Sequence, residues 1–117
     1  MAVTGYLTIN NTTQETLKVS GIAWIDDDAK KGGISKGDTI KAGGSATATM
    51  SNDSVIPPKG IGVTVSLKAT SSTDNIAVSL EIPAVGTHSL LKLSASGLDA
   101  KFSGRASNAY VADIVSA

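Results

Sequence analysis

The sequence predicts an all-β protein: a single-domain antiparallel β-sandwich of about seven to nine short strands spanning residues 1–117. Three observations carry this. Apolar and polar residues alternate along one segment after another, the period of a strand with one buried face. Clusters of Gly, Asn, Asp, Ser and Pro separate those segments. No window holds a 3.6-residue apolar stripe long enough for a stable helix. No repeat of fixed length occurs, which speaks against a propeller or solenoid.

The stretch 5–25 sets the pattern, as two strands around a polar turn. In the first arm Leu7 and Ile9 alternate with Tyr6, Thr8 and Asn10. In the second, Leu17 and Val19 alternate with Lys18 and Ser20. Residues 11–15 between them carry no apolar side chain, and their Asn and Thr can bond their own backbone and turn the chain. Beyond Gly21 the apolar parity inverts, with Ile22 and Trp24 on the face opposite to Leu17 and Val19. A β-bulge at Gly21 adds one residue and returns Trp24 to the core side.

The run 26–38 is the most polar and glycine-rich part of the chain and reads as a surface loop. Thr39, Ile40 and Lys41 begin a short strand that Gly43 and Gly44 end. Ala46, Ala48 and Met50 form a thin strand with small inward side chains. Pro57 and Pro58 make 52–59 a loop, because proline cannot donate to a ladder. The strongest alternation is at 60–70, with Ile61, Val63, Val65, Leu67 and Ala69 on one face, and this is the expected central strand. After a turn at 71–74 come Ile76, Val78, Leu80 and Ile82, which Pro83 ends. Leu91, Leu93 and Ala95 read as a half-buried strand, Gly97, Leu98 and Asp99 as a turn. A short strand near Phe102 and a last one at 110–115 close the chain.

Composition narrows the function classes. Without cysteine, disulfides, thiolate zinc sites and cysteine nucleophiles are excluded. Ten Lys and Arg balance ten Asp and Glu, so no global field favours nucleic acid or anionic lipid. Aromatic residues are limited to Tyr6, Trp24, Phe102 and Tyr110, too few for a base-stacking surface. No segment reaches the roughly 18–20 apolar residues of a membrane-spanning helix, and the first residues lack a signal peptide's basic and apolar regions. The expected state is soluble, cytoplasmic or exported without a recognisable signal peptide. Matches to the N-glycosylation pattern at Asn10, Asn11 and Asn52 matter only in a eukaryotic secretory pathway.

The short motifs do not amount to catalysis. Gly33-Ile34-Ser35-Lys36-Gly37 spells G-x-S-x-G. A nucleophile elbow needs a strand-to-helix turn above an α/β sheet, and here no helix follows. His88, the only histidine, would also have to be placed beside that serine by an acid. Asp26, Asp27 and Asp28 offer calcium oxygens, but the EF-hand pattern fails because Lys30 and Lys31 occupy the next positions and no bidentate glutamate follows; a loose site with Asp38 stays open, in a loop that offers few of the oxygens calcium needs. A lone His88 has no ligand partners for a metal and suits a surface or turn position. The glycine pairs 32–33 and 43–44 lead into no lysine-bearing helix, so they do not make a phosphate loop. No enzyme activity, metal or cofactor is expected. Trp24 has two readings. It fills the gap between the sheets, or it stands at the rim beside 26–38, where an indole suits a membrane interface.

Read end to end, the chain resembles the aegerolysin family of small β-sandwich proteins. The resemblance rests on order. Leu7-Thr8-Ile9-Asn10 leads to a polar turn and then to a lysine-containing strand ending at Trp24. Ser35-Lys36-Gly37-Asp38 leads to Thr39-Ile40, a small-residue stretch and a strand rich in β-branched residues. Ser96-Gly97-Leu98-Asp99 and Ser103-Gly104 precede a final strand with Val111 and Ile114. The resemblance implies lipid binding, notably to sphingolipid-containing membranes. It also implies action beside a larger pore-forming partner of the perforin type, as a toxin or cytolysin. Of the family's lipid contacts only Trp24 stands at a matching place; Ile25, Lys30 and Lys31 near it complete the expected lipid-binding set. This chain keeps one tryptophan where the family uses several loop aromatics, and it lacks the family's usual cysteines. A second expectation comes from a different class. Abundant Ser, Thr, Gly and Ala, few aromatics and zero net charge suit a structural β protein that forms homo-oligomers through unblocked sheet edges.

Overall fold

Period-two alternation requires a strand to put one row of side chains inward; the computed structural model has ten strands among its described residues, and the central ones do so. It describes residues 3–25, 30–53, 59–105 and 107–117. The strands are β1 (Val3–Asn11), β2 (Leu17–Trp24), β3 (Lys30–Gly32), β4 (Thr39–Ile40), β5 (Ser45–Asn52), β6 (Ile61–Ala69), β7 (Asn75–Ile82), β8 (Ser89–Ser96), β9 (Leu98–Arg105) and β10 (Ala109–Ser116). One sheet has the order β3-β5-β1-β10-β9 and the other β4-β2-β6-β7-β8. The first and last strands pair in parallel, and every other pairing is antiparallel. The fold is a β-sandwich without helix among the described residues. The calcium reading of Asp26, Asp27 and Asp28 and the loop reading of Pro57 and Pro58 lie outside the described residues.

The core is aliphatic. Leu7 and Ile9 of β1 meet Val63, Val65 and Leu67 of β6, Val78 and Leu80 of β7 and Ile114 of β10, all buried. β6 is the middle strand of its sheet, as its alternation predicts. The bulge is also where the parity change puts it: Val19 pairs with Leu67 and Gly21 with Ser66, so Ser20 is the extra residue. Ile22 and Trp24 then stand opposite Val65 and Val63, on the inner face.

Three sequence expectations need correction. The run 26–38 is not all surface loop. It contains β3, which pairs with β5, and Ile34, which is only 3% exposed and joins the core. An isolated isoleucine among glycines gives no period, so its burial leaves no pattern to read. Leu91, Leu93 and Ala95 are not half-buried, for Leu91 and Leu93 are 42% and 55% exposed and Ala95 is exposed too. On this edge strand Leu90, opposite Leu80, faces the core, and Leu93 is the unpaired residue of a second bulge. Leu98 belongs to no turn: it starts β9 and is buried.

The molecule is elongated, 46 × 24 × 21 Å, and its strands define two ends. At one end β1 runs into the turn to β2. There Asn11, fully buried, donates from Nδ2 to the carbonyls of Glu15 (2.7 Å) and Ile40 (2.8 Å). Its Oδ1 accepts from the amide (3.0 Å) and hydroxyl (2.6 Å) of Thr13. Its backbone bonds Gly43 and Gly44, and Thr12 bonds the carbonyl of Ile114. One side chain thereby ties the turn after β1 to β4. At the other end lie the start of β1, the ends of β2, β5 and β7, and the starts of β6, β8 and β10.

Candidate functional site

The second end exposes apolar side chains, Ile25 and Val85. β2 ends there with Trp24, and Ile25 comes directly after it on the opposite face. Trp24, turned inward by the bulge, is half-buried and packs against the core. It is thus neither fully core nor free at the rim: its position closes the sandwich while leaving indole surface in solvent. Ile25 follows on the outer side, 48% exposed, with its amide donating to the Gly62 carbonyl at 3.0 Å.

Glycine makes room for Ile25. A Cβ on Gly62 would overlap Ile25 Cδ1 and come within 2.7 Å of the Leu80 carbonyl. Gly60 is pressed as closely, since a Cβ there would lie 2.6 Å from the Ile82 carbonyl and 2.7 Å from Pro83 Cα. These two glycines let 59–62 run tight beneath Ile25 and Pro83. The result is an open groove of about 550 Å³ lined by Ile25, Gly60, Ile61, Pro83, Ala84 and Val85, with Lys59 and Glu81 at its margin. Val85, at 85%, is the most exposed large apolar side chain among the described residues. Isolated exposed apolar side chains are ordinary, but several around one groove form a patch.

Lys30 and Lys31 lie on the other sheet, at the same end, where β3 pairs with Ser51 and Met50 of β5. Both are exposed. Lys30 makes an ion pair with Asp53 at 3.6 Å, with the two side chains 81% and 65% exposed; so open a pair contributes little to stability. Trp24 thus ends β2 with Ile25 directly after it, and Lys30 and Lys31 lie at the same end of the other sheet. Pro83, Ala84 and Val85 are absent from the site predicted by sequence. Their signal was an apolar run continuing past the proline that ends β7, where alternation stops and a turn should be polar. Gly86, at φ 119°, then reverses the chain.

His88, just before β8, is half-buried, as a turn residue can be. Its Nδ1 hydrogen-bonds the Tyr110 hydroxyl at 2.5 Å, and the rings meet edge to face at 5.8 Å. They border a groove of about 240 Å³ with Leu90 and Phe102. Ser35 lies in the link from β3 to β4, with its amide donating to Asp38 Oδ2 at 2.8 Å. β3 and β4 form one lateral edge of the sandwich, and β8 and β9 the other. Ser35 and His88 are thus on opposite edges, and the G-x-S-x-G spelling assembles no triad. No family model matches the chain, and no curated protein does.

Proposed function

We propose that this protein binds membrane surfaces non-enzymatically through the end that carries Trp24, Ile25 and Val85. The observation that carries the reading is the apolar groove there, with Val85 and Ile25 exposed beside the chain's one tryptophan. Indole rings favour the interface between headgroups and acyl chains. Apolar side chains that enter that layer gain by leaving water. Lys30 and Lys31 add attraction to anionic headgroups from the facing sheet. The resemblance to aegerolysins in the order of strands agrees with this reading. It adds sphingolipid-containing membranes as the target and a perforin-type protein as partner in a two-component cytolytic or insecticidal system. Co-sedimentation with vesicles of sphingolipid, with and without sterol, tests it. Binding that Val85→Asp abolishes supports the proposal; no binding to any vesicle, or equal binding by the variant, contradicts it.

The self-assembling reading has one observation in its favour, the exposure of Leu91 and Leu93 on the edge strand β8. The edges also carry features that discourage pairing. β3 has three residues, two of them lysines. In β8 the bulge at Leu93 breaks the ladder, and Lys92, opposite inward-facing Val78, places a charge on the inner side. Light scattering behind size exclusion separates the two readings. The membrane-binding account predicts a monomer at all concentrations in the absence of lipid.

A further inference from the structure

Three lysines gather on the outer face of the second sheet, away from the Trp24 end. Lys18 of β2 and Lys68 of β6 are cross-strand partners in direct register. Like charges placed so repel, which disfavours the pairing unless a counter-charge sits between them. Lys36, in the link before β4, lines the same groove of about 450 Å³ with Ser20 and Gly37. Among the described residues no carboxylate forms an ion pair with any of the three. The nearest acids along the chain have contacts of their own. Glu15 accepts from the Ser71 hydroxyl, Asp38 from the Ser35 amide, and Asp74 lies against Gly97. The whole chain has no net charge, so this concentration of cations is local.

The groove continues across Ser20 and Lys68 into a second of about 430 Å³, bordered by Ser66, Thr73 and Asn75. Cations at one end and hydroxyl and amide groups at the other suit a ligand with a phosphate and a polar remainder. We propose that Lys18, Lys36 and Lys68 form a binding site for a soluble phosphorylated small molecule, whose phosphate neutralises the Lys18–Lys68 repulsion. A phosphate on a lipid headgroup is the less suitable source. From Lys18 to Trp24 the strand covers about 20 Å at its usual rise, which sets this groove well back from the end assigned to the membrane. The site is on a different face and stands or falls independently of the membrane reading.

Calorimetric titration of the full chain with pyrophosphate tests the proposal at physiological ionic strength, where the Debye length is about 8 Å and diffuse attraction is screened. Saturable binding at one site is expected. Lys18→Gln, Lys36→Gln and Lys68→Gln should each weaken it about tenfold or more, the scale of a lost charge-assisted hydrogen bond. Lys101→Gln, on the other sheet, should leave it unchanged. All four lysines are exposed, so the variants should fold, which their circular dichroism checks. Absence of saturable binding overturns the proposal, and so does equal weakening by Lys101→Gln. Binding to phosphoinositide vesicles without binding to pyrophosphate also overturns it, since the phosphate would then be a lipid's.

Discussion

The two ends of the sandwich solve opposite problems with the same kind of strand. At the Asn11 end, buried polar groups are satisfied inside the protein: one amide side chain serves two carbonyls and a threonine. At the Trp24 end, apolar groups are left outside: Ile25 and Val85 face solvent around a groove, over glycines that keep the backbone low. A buried polar network is stabilising only when complete, and the Asn11 network is complete. An exposed apolar patch gives the isolated protein nothing, so its benefit lies in what covers it. The difference separates an end that holds the fold together from an end suited to contact.

The largest effect should come from breaking the holding end. Asn11→Ala removes the side-chain donor to the buried Ile40 carbonyl, leaves the Glu15 carbonyl with the Thr13 hydroxyl alone, and removes the acceptor of Thr13. A loss of about 3 kcal/mol is expected, the sum of a few unsatisfied buried groups. Urea denaturation measures it, and a loss under about 1 kcal/mol would remove the contrast between the ends. Trp24→Ala comes next. Full burial would give about 3–5 kcal/mol; for a half-buried indole the expectation is about 2–3 kcal/mol, read by the same denaturation. An unchanged midpoint would make Trp24 a pure rim residue.

How far the sequence disclosed these ends follows from what each residue's pattern can show. The aliphatic core was legible because β6 and β7 alternate without interruption. The Gly21 bulge was legible because the parity inverts at a residue suited to a bulge. Asn11 was read as part of a polar turn, which it also is; its burial was hidden because turn residues look alike whether they bond water or the chain. Ile34 and Leu98 were missed because single anchors have no period. β8 was misread because an edge strand has no core beyond it, so its Leu91 and Leu93 mimic a buried face. Of the contact end, Trp24 and Ile25 were visible as the end of β2, whereas Val85 depends on a loop that sequence places on no face.

Smaller effects sharpen the comparison. Val85→Asp should change stability by less than about 0.5 kcal/mol, as for other exposed positions without special contacts. A large destabilisation would mean that the contact end also holds the fold. Near the Asn11 end, Lys92 donates to Asp99 at 2.9 Å, and this bond, with the Ala100 amide, holds the Asp99 carboxyl below its ordinary value. Because the folded value is the lower one, the contribution is present above the ordinary value and is lost as pH falls through the folded one. Lys92→Gln should therefore move the Asp99 titration upward in carboxyl NMR, with the difference in stability from wild type vanishing in strong acid. The pair is solvent-exposed, so the change in stability should be slight.

The central claim is that the Trp24 end meets the membrane, and the chain's one tryptophan reports on it without labelling. Trp24 emission is to be followed as the protein binds sphingolipid vesicles containing lipids brominated along the acyl chain. The account predicts a blue shift and quenching that is strongest for bromines near the headgroup, because an interfacial indole sits at that depth. Vesicle binding with neither shift nor quenching would place the contact on another face and contradict the account.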